Sequence, residues 1–183
     1  MARSDPHSHH APAGRAVAVA AGGNTGDAAG TIRGAAAALA RSGLLRAVRL
    51  SALYRTAPVR VSADAPDPGG DYINAAVVAE SAGSPAEILS LLHAVERAFG
   101  RDRSRCPHGA PRPIDLDLLV VGDLTVQQPA LTLPHPRMHQ RAFVLAPLAE
   151  LAPDLPVPGT GRTVAELLAD LGPIDGAIVR RCD

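Results

Sequence analysis

The apolar residues of the chain fall into short runs whose spacing predicts strands alternating with helices. Four stretches have the continuous or alternating apolar pattern of strands: 15–21, 45–55, 72–81 and 114–121. Two stretches between them have helical spacing: 27–41 and 85–99. The second predicted helix begins at a capping box, Ser84-Pro85-Ala86-Glu87, with proline at its first position.

The order of these elements is β-α-β-β-α-β, which predicts a ferredoxin-like, α+β fold. Such a fold has an antiparallel sheet with helices packed on one face. Beyond Leu124 we expect a short hairpin around Gln128-Pro129, a turn rich in Pro, His and Arg, and two short helices. Residues 1–14 have the composition of a disordered tail, so we expect residues 15–183 to form a single domain.

Composition excludes several classes of function. All 18 basic residues are arginine, so no mechanism that needs a lysine is available, including Schiff-base chemistry and a Walker A loop. A net charge of zero, two Tyr, two Phe and no Trp argue against a nucleic-acid platform. The chain has no apolar run of the length that spans a membrane.

The cysteines and the start of the chain indicate the cellular compartment. Two cysteines, Cys106 and Cys182, make no disulfide framework, and the start of the chain has no signal-peptide core, so we expect a cytoplasmic protein.

The turn Gly22-Gly23-Asn24 after the first predicted strand matches neither the Rossmann nor the P-loop pattern. It still permits close approach of the backbone to a ligand.

Two aspartates in the last predicted strand are the clearest sign of chemistry. Asp115 and Asp117 are two residues apart, so both lie on one face of the strand, while Ile114, Leu116 and Leu118 point to the core. Two adjacent carboxylates repel each other unless a cation lies between them. This spacing favours Mg²⁺ bound together with substrate phosphates, although two solvated carboxylates are the simpler alternative.

Arginines and histidines flank this pair in the sequence. The loop before the strand carries four arginines: Arg101, Arg103, Arg105 and Arg112. Arginine binds phosphate with two parallel hydrogen bonds, so this loop beside metal-binding carboxylates indicates a polyphosphate substrate. A second cluster follows the hairpin, where helical spacing would pair Arg137 with Arg141 and His135 with His139. A phosphate-facing His and Arg explain it better than half of a zinc site.

These motifs resemble the hydroxymethyldihydropterin pyrophosphokinase family of folate biosynthesis, over six segments in the same order. The matching segments are AVAAGGNTGD (18–27), SALYRTAPV (51–59), DYINAAVVAES (71–81), LLHAVERAFGRDRSR (91–105), PRPIDLDLLVVGD (111–123) and LTLPHPRMHQRAFVLAPLAELAPD (131–154). The resemblance implies an α+β sandwich around a ferredoxin-like core. It also implies transfer of the pyrophosphoryl group of ATP to the hydroxymethyl oxygen of a reduced pterin, with release of AMP.

The resemblance assigns roles residue by residue. The implied ligands of two Mg²⁺ ions are Asp115 and Asp117, which with Arg101 and Arg112 form the implied catalytic set. Further positions implied to contact ATP are His93, Glu96, Arg103, His135 and Arg141. Positions implied to bind the pterin are Gly22, Thr56, Val59, Tyr72, Asn74 and Phe143. We expect a monomer that binds ATP and a reduced pterin, without nucleic acid or membrane.

Three alternatives stay open at this level. The family usually has a tryptophan before the Gly-Pro-Arg of its arginine loop, and here Cys106-Pro107-His108 stands in that region. A relative that binds pterin or nucleotide without turnover is therefore one alternative, and a metal-dependent phosphohydrolase on the same scaffold is another. Phe143 also opens an apolar run, so it is either a pterin contact or an ordinary core residue.

Overall fold

The computed structural model describes residues 14–58, 69–102, 110–172 and the backbone of 178–182. Its strands are β1 (Arg15–Gly23), β2 (Arg46–Leu50), β3 (Leu53–Thr56), β4 (Tyr72–Ser81), β5 (Asp115–Val121), β6 (Val126–Gln128), β7 (Leu131–Leu133), β8 (Pro156–Val157), β9 (Arg162–Thr163) and β10 (Ile178–Cys182). Its α-helices are α1 (Ala28–Arg41), α2 (Pro85–Ala98), α3 (Ala142–Leu151) and α4 (Val164–Asp170).

The main sheet is antiparallel and has the strand order β10-β3-β4-β1-β5, with β2 also paired to β4. The strands β2 and β3 pair with successive parts of β4 and so take one position in the sheet. The strands β1 to β5 with α1 and α2 therefore reproduce the predicted β-α-β-β-α-β core. The α+β fold class is thereby confirmed.

One face of the sheet packs on α1 and α2. Alternate residues of β1, such as Val17, Val19 and Ala21, join Ile32 of α1 and Leu92 of α2 in this core. The capping box predicted for α2 is present and complete at Ser84 and Glu87. The helix α1 is capped by Asp27, which accepts a hydrogen bond from Gly30 N at 2.9 Å. These caps satisfy the free amide groups that begin each helix.

The opposite face packs on α3 and α4, so the sheet is covered by helices on both faces. Ala18 of β1 and Ala76 of β4 contact Val144 and Leu148 of α3 in this second core. The β-α-β-β-α-β pattern alone predicts helices on one face, because it does not include these C-terminal helices. The sandwich implied by the family resemblance is the architecture observed.

Two strand predictions needed correction. The stretch 45–55 is not one strand, because it breaks after Leu50, where buried Ser51 pairs with Ala76 of β4. Ser51 N donates to Ala76 O, and Ala76 N donates to Ser51 Oγ, both at 2.9 Å. The strand β10 and the hairpin β8–β9 have no counterpart in the sequence prediction. No helix in the part of the chain covered by the structure is long and apolar enough to cross a membrane.

Candidate functional site

The strand register places one polar row across the sheet on the face covered by α3. Tyr54 of β3 pairs with Asn74 of β4, Asn74 with Gly22 of β1, and Gly22 with Asp115 of β5. Paired residues on antiparallel strands point to the same side of the sheet, about 5 Å apart. Asp117 lies on the same face of β5, opposite Ala20. The sheet therefore brings predicted pterin and metal residues from three strands into one row.

Asp115 lies between two guanidinium groups. Its Oδ1 accepts a hydrogen bond from Arg101 Nη1, and its Oδ2 is 2.7 Å from Arg112 Nη2. The carboxylate is 18% exposed. Burial alone acts to lower the pKa of Arg101, but the charges of Asp115 and Glu96 outweigh it and raise that pKa above its usual value. Arg101 is therefore charged.

Glu96 holds Arg101 from the other side. Its carboxylate is 1% exposed and accepts hydrogen bonds from Arg101 Nη1 and from the backbone N–H of Leu116 at 2.8 Å. The family resemblance implies that Glu96 contacts the nucleoside of ATP. In the structure its side chain is directed into the protein, and these two bonds hold the arginine beside β5. Contact of Glu96 with the nucleoside stays a prediction.

Asp117 is more accessible than Asp115 and has looser partners. Its side chain is 37% exposed, and its Oδ2 lies 4.0 Å from His135 Nε2 and 3.9 Å from Arg141 Nη1. His135 reaches this position because its backbone N–H donates to Leu119 O at 2.9 Å, which ties the segment after β7 to the edge of β5. The two aspartates thus face separate sets of cationic or hydrogen-donating groups.

The protonation state of His135 follows from its contacts. Its Nδ1 accepts a hydrogen bond from the backbone N–H of Arg137 at 3.2 Å, which leaves the proton of the neutral ring on Nε2, toward Asp117. Burial, followed by the positive charges of Arg141 and Arg137, lowers the pKa of His135 despite the opposing effect of Asp117. Burial and Arg137 also lower the pKa of Arg141. At neutral pH, His135 is therefore a neutral hydrogen-bond donor.

The predicted helical pairing of this segment is wrong. Residues 138–140 form a single 3₁₀ turn and α3 begins only at Ala142, so regular helical spacing does not hold between His135 and His139. His139 Nε2 lies 3.2 Å from Gln140 Nε2 instead. Over the described ranges, no three His, Cys, Asp or Glu side chains gather around a common point that could hold a metal. Within those ranges, no group of side chains supports a zinc site at His135 and His139.

Asn74, the next polar residue of the row, is held so that its amide nitrogen and its amide oxygen point in defined directions. Asn74 is buried and donates through Nδ2 to Thr56 Oγ1 at 2.8 Å. Its Oδ1 faces Gly22, where an added Cβ would lie only 2.7 Å away. Glycine at position 22 therefore leaves room for the Asn74 carbonyl, which is presented as an acceptor beside the aspartates.

Two aromatic rings each carry an arginine over one face. The Arg112 guanidinium lies 5.5 Å from the centre of the Tyr72 ring, and that of Arg141 lies 5.5 Å from the centre of the Phe143 ring. Phe143 is also partly buried against the second core. It thus has features of both alternatives, a site residue and a core residue. Each ring is linked through its arginine to one aspartate.

The remaining predicted site residues lie elsewhere or outside the described part. His93 is half-buried on α2, and its position leaves the nucleoside role a prediction. Val59 and Arg103 lie outside the described residues, as do residues 1–13 of the predicted tail and Cys106. One residue that the sequence prediction did not assign is joined to the site by hydrogen bonds: Asn24, which contacts Arg112 and Gly70.

Taken together, these groups can bind a polyanion and a flat polar ring side by side. Three arginines and a neutral histidine surround two carboxylates, which suits phosphate oxygens and a divalent cation. An amide, a hydroxyl and two aromatic rings adjoin them, which suits a planar heterocycle with polar edges.

Comparison with known proteins agrees with a site for a polyanion and a flat polar ring. The family model for 7,8-dihydro-6-hydroxymethylpterin-pyrophosphokinase matches residues 18–153. The 2-amino-4-hydroxy-6-hydroxymethyldihydropteridine pyrophosphokinase of Synechocystis is 42% identical over 150 residues, covering 82% of this chain and 73% of the relative. The protein of the same name from Methylorubrum extorquens is 41% identical over 153 residues, covering 83% of this chain and 90% of that protein.

Solved structures share the fold. A crystal structure of HPPK-DHPS in complex with substrates superposes with a TM-score of 0.62 at 12% identity, and wild-type Plasmodium falciparum HPPK-DHPS with 0.63 at 14%. Each comparison covers 86% of this chain, which spans only 43% and 44% of those longer chains. At such identity the likeness concerns the fold alone.

Proposed function

The chain belongs to the 7,8-dihydro-6-hydroxymethylpterin-pyrophosphokinase family, and from this we propose how its residues perform the family's reaction. It is an enzyme that transfers the pyrophosphoryl group of ATP to hydroxymethyldihydropterin in folate synthesis. Supporting the residue-level proposal is a single observation: Asp115, Gly22 and Asn74 lie in one cross-strand row. In this row, the groups that we assign to the phosphates are neighbours of those that we assign to the ring.

The triphosphate of ATP binds over the two aspartates in this proposal. Arg101, Arg112 and Arg141 offer guanidinium groups to its oxygens, and His135 offers the Nε2 proton. Transfer of a phosphoryl-type group asks the protein mainly for alignment and for neutralisation of charge. The arginines supply both without any lysine, in agreement with the composition.

Mg²⁺ fits the donor set at the aspartates. Asp115 and Asp117 are hard oxygen donors on one face, and Mg²⁺ is commonly held by one or two carboxylates together with substrate phosphates. We propose that this pair holds the two ions implied by the family resemblance. When bound, such ions neutralise the charge of the triphosphate. Asp117 has the more accessible carboxylate, whereas Asp115 shares its oxygens with Arg101 and Arg112.

The pterin binds at the Asn74 end of the row. Its polar edge meets the Asn74 carbonyl and the Thr56–Asn74 pair, and its faces meet the rings of Tyr72 and Phe143. The hydroxymethyl group would then point along the row toward the aspartates and the triphosphate. Monomeric state and cytoplasmic location stay predictions from the sequence.

The test of the proposed function is a product analysis. The protein is incubated with ATP, Mg²⁺ and 6-hydroxymethyl-7,8-dihydropterin, and the nucleotides are separated. Formation of AMP in equal amount to the pterin diphosphate is the expected result, and it should stop when EDTA removes the metal. ADP would indicate a simple kinase, ATP breakdown without pterin a phosphohydrolase, and ATP binding without AMP a non-catalytic relative.

Replacing residues at the pterin end should separate the two substrates. Phe143→Ala removes a stacking ring and Asn74→Ala removes a fixed acceptor, so each should weaken pterin binding by about 10- to 100-fold. ATP affinity should change by less than about threefold. Calorimetry with each substrate measures both, with Phe99→Ala at the C-cap of α2 as a control ring outside the site. Loss of ATP affinity with intact pterin affinity would contradict the pocket assignment.

A further inference from the structure

Asn24 makes a reciprocal pair of hydrogen bonds with Arg112. Its backbone N–H donates to Arg112 O at 3.0 Å, and its side-chain Oδ1 accepts from the Arg112 N–H at 2.9 Å. Its Nδ2 also donates to Gly70 O at the longer distance of 3.4 Å. One side chain in the turn after β1 therefore contacts the segments that lead into β5 and β4.

The sheet register explains why a side chain, and not a backbone group, accepts the hydrogen bond from the Arg112 N–H. Gly22 pairs with Asp115 at the end of the β1–β5 ladder, so continuation of the register would place Asn24 opposite Pro113. Proline has no N–H and cannot continue the ladder. The carboxamide of Asn24 reaches the next available donor, the N–H of Arg112. Close packing supports this contact, since a Cβ added at Gly23 would lie 2.4 Å from Pro113 O.

The segment held in this way carries a group of the proposed site. Arg112 extends from it to Asp115 at 2.7 Å and over the ring of Tyr72. Its Nη1 donates to Ala110 O at 3.1 Å, but among the described residues its Nε is buried without a hydrogen-bond partner, so this side chain is not anchored along its whole length. The backbone at residue 112 is consequently the fixed point from which the guanidinium is aimed.

We propose that Asn24 is a positioning residue for pyrophosphoryl transfer, which sets the direction of Arg112 through its carboxamide. The proposal rests on the proposed function, because Arg112 matters to the reaction only if the triphosphate binds at Asp115. The hydrogen bonds given above join Asn24 to Arg112 and Gly70. Its effect on catalysis should therefore pass through Arg112.

A double-mutant cycle tests this dependence. Asn24→Ala should lower kcat by about 10- to 100-fold, since small misplacements of a charge-stabilising group have effects of that size. In an Arg112→Ala background the same substitution should lower kcat by less than about threefold. The KM for ATP should move less than kcat. Thr25→Ala, in the same turn, is the matched control and should retain wild-type kcat.

A conservative variant and a structural readout complete the experiment. Asn24→Asp keeps an acceptor for the Arg112 N–H and should retain kcat within about fivefold of wild type. Hydrogen exchange at the Arg112 amide should be slow in wild type and in Asn24→Asp, and fast in Asn24→Ala. If Asn24→Ala does not fold, Asn24→Ser replaces it, because the serine hydroxyl is too short to make the same bond.

Two results would overturn the inference. One is an equal loss of kcat on replacing Asn24 in both backgrounds, which would make its effect independent of Arg112. The other is an Asn24→Asp variant as impaired as Asn24→Ala. Both are distinct from failure of the proposed function, in which the wild-type protein itself would form no AMP from ATP and the pterin.

Discussion

Asp117→Ala is expected to abolish measurable turnover, with a loss in kcat of at least about 100- to 1000-fold, while the protein stays folded. The carboxylate is 37% exposed and its nearest cationic contacts are near 4 Å, so it contributes little to packing. Its removal leaves triphosphate charge uncompensated at the reacting end of ATP, where lost electrostatic stabilisation has effects of this size. AMP formation at saturating substrates measures the loss, and circular dichroism monitors the fold.

Asp115→Ala should cause a comparable loss of turnover with a larger loss of stability. Removing this carboxylate leaves Arg101 and Arg112 without one of their partners, whereas Asp117 has no partner within 3.5 Å among the contacts given above. Asp123→Ala, an exposed carboxylate in the turn after β5, is the matched control and should retain activity. Near-normal AMP formation by either active-site variant at ordinary Mg²⁺ would remove the proposed two-ion role.

Arg101→Ala is expected to damage both catalysis and folding. Arg101 lies between Glu96 and Asp115, so its loss leaves one fully buried and one largely buried carboxylate near each other without a shared cation. Breaking such a buried pair typically costs about 3–5 kcal/mol, and the partial exposure of Arg101 and Asp115 places the expected loss at or below about 3 kcal/mol. The loss in kcat should be about 100-fold or more.

Urea denaturation measures the stability of Arg101→Ala, and AMP formation measures its kcat. Arg101→Lys should restore part of the stability but little activity, because one ammonium group cannot contact two carboxylates with the geometry of a guanidinium. Arg97→Ala, an exposed arginine in the last turn of α2, is the control and should be close to wild type in both measurements. A wild-type kcat in Arg101→Ala would contradict the role of this residue in the triphosphate site.

Most of the core fold was predictable because its signals are local. The apolar run over 72–81 and the capping box at Ser84 depend only on neighbouring residues. The strand Tyr72–Ser81 is present with the predicted bounds, and the second helix begins at Pro85 as predicted. The break after Leu50 was not predictable, since it depends on the pairing of Ser51 with Ala76, a residue 25 positions away. The strand β10 depends in the same way on its pairing with β3.

Some features of the candidate site likewise follow from local sequence, and others depend on contacts between distant residues. A shared face for Asp115 and Asp117 follows from their spacing in a strand, and so does the shared face of Tyr72 and Asn74. That Asn74, Gly22 and Asp115 lie in one row depends on the register of three strands. The inward direction of Glu96 and the contact between Asn24 and Arg112 have no local signal, because each joins residues from distant parts of the chain.

The chemistry available to this protein, and the faces on which its strand residues lie, follow from the order of its amino acids. Arginine without lysine, a carboxylate pair at strand spacing and six ordered family segments are properties of the chain alone. Folding in three dimensions sets which carboxylate each arginine contacts, and which polar side chains serve to position others. These choices depend on register and on packing between elements, which arise from the summed contacts of the folded chain and not from any one segment.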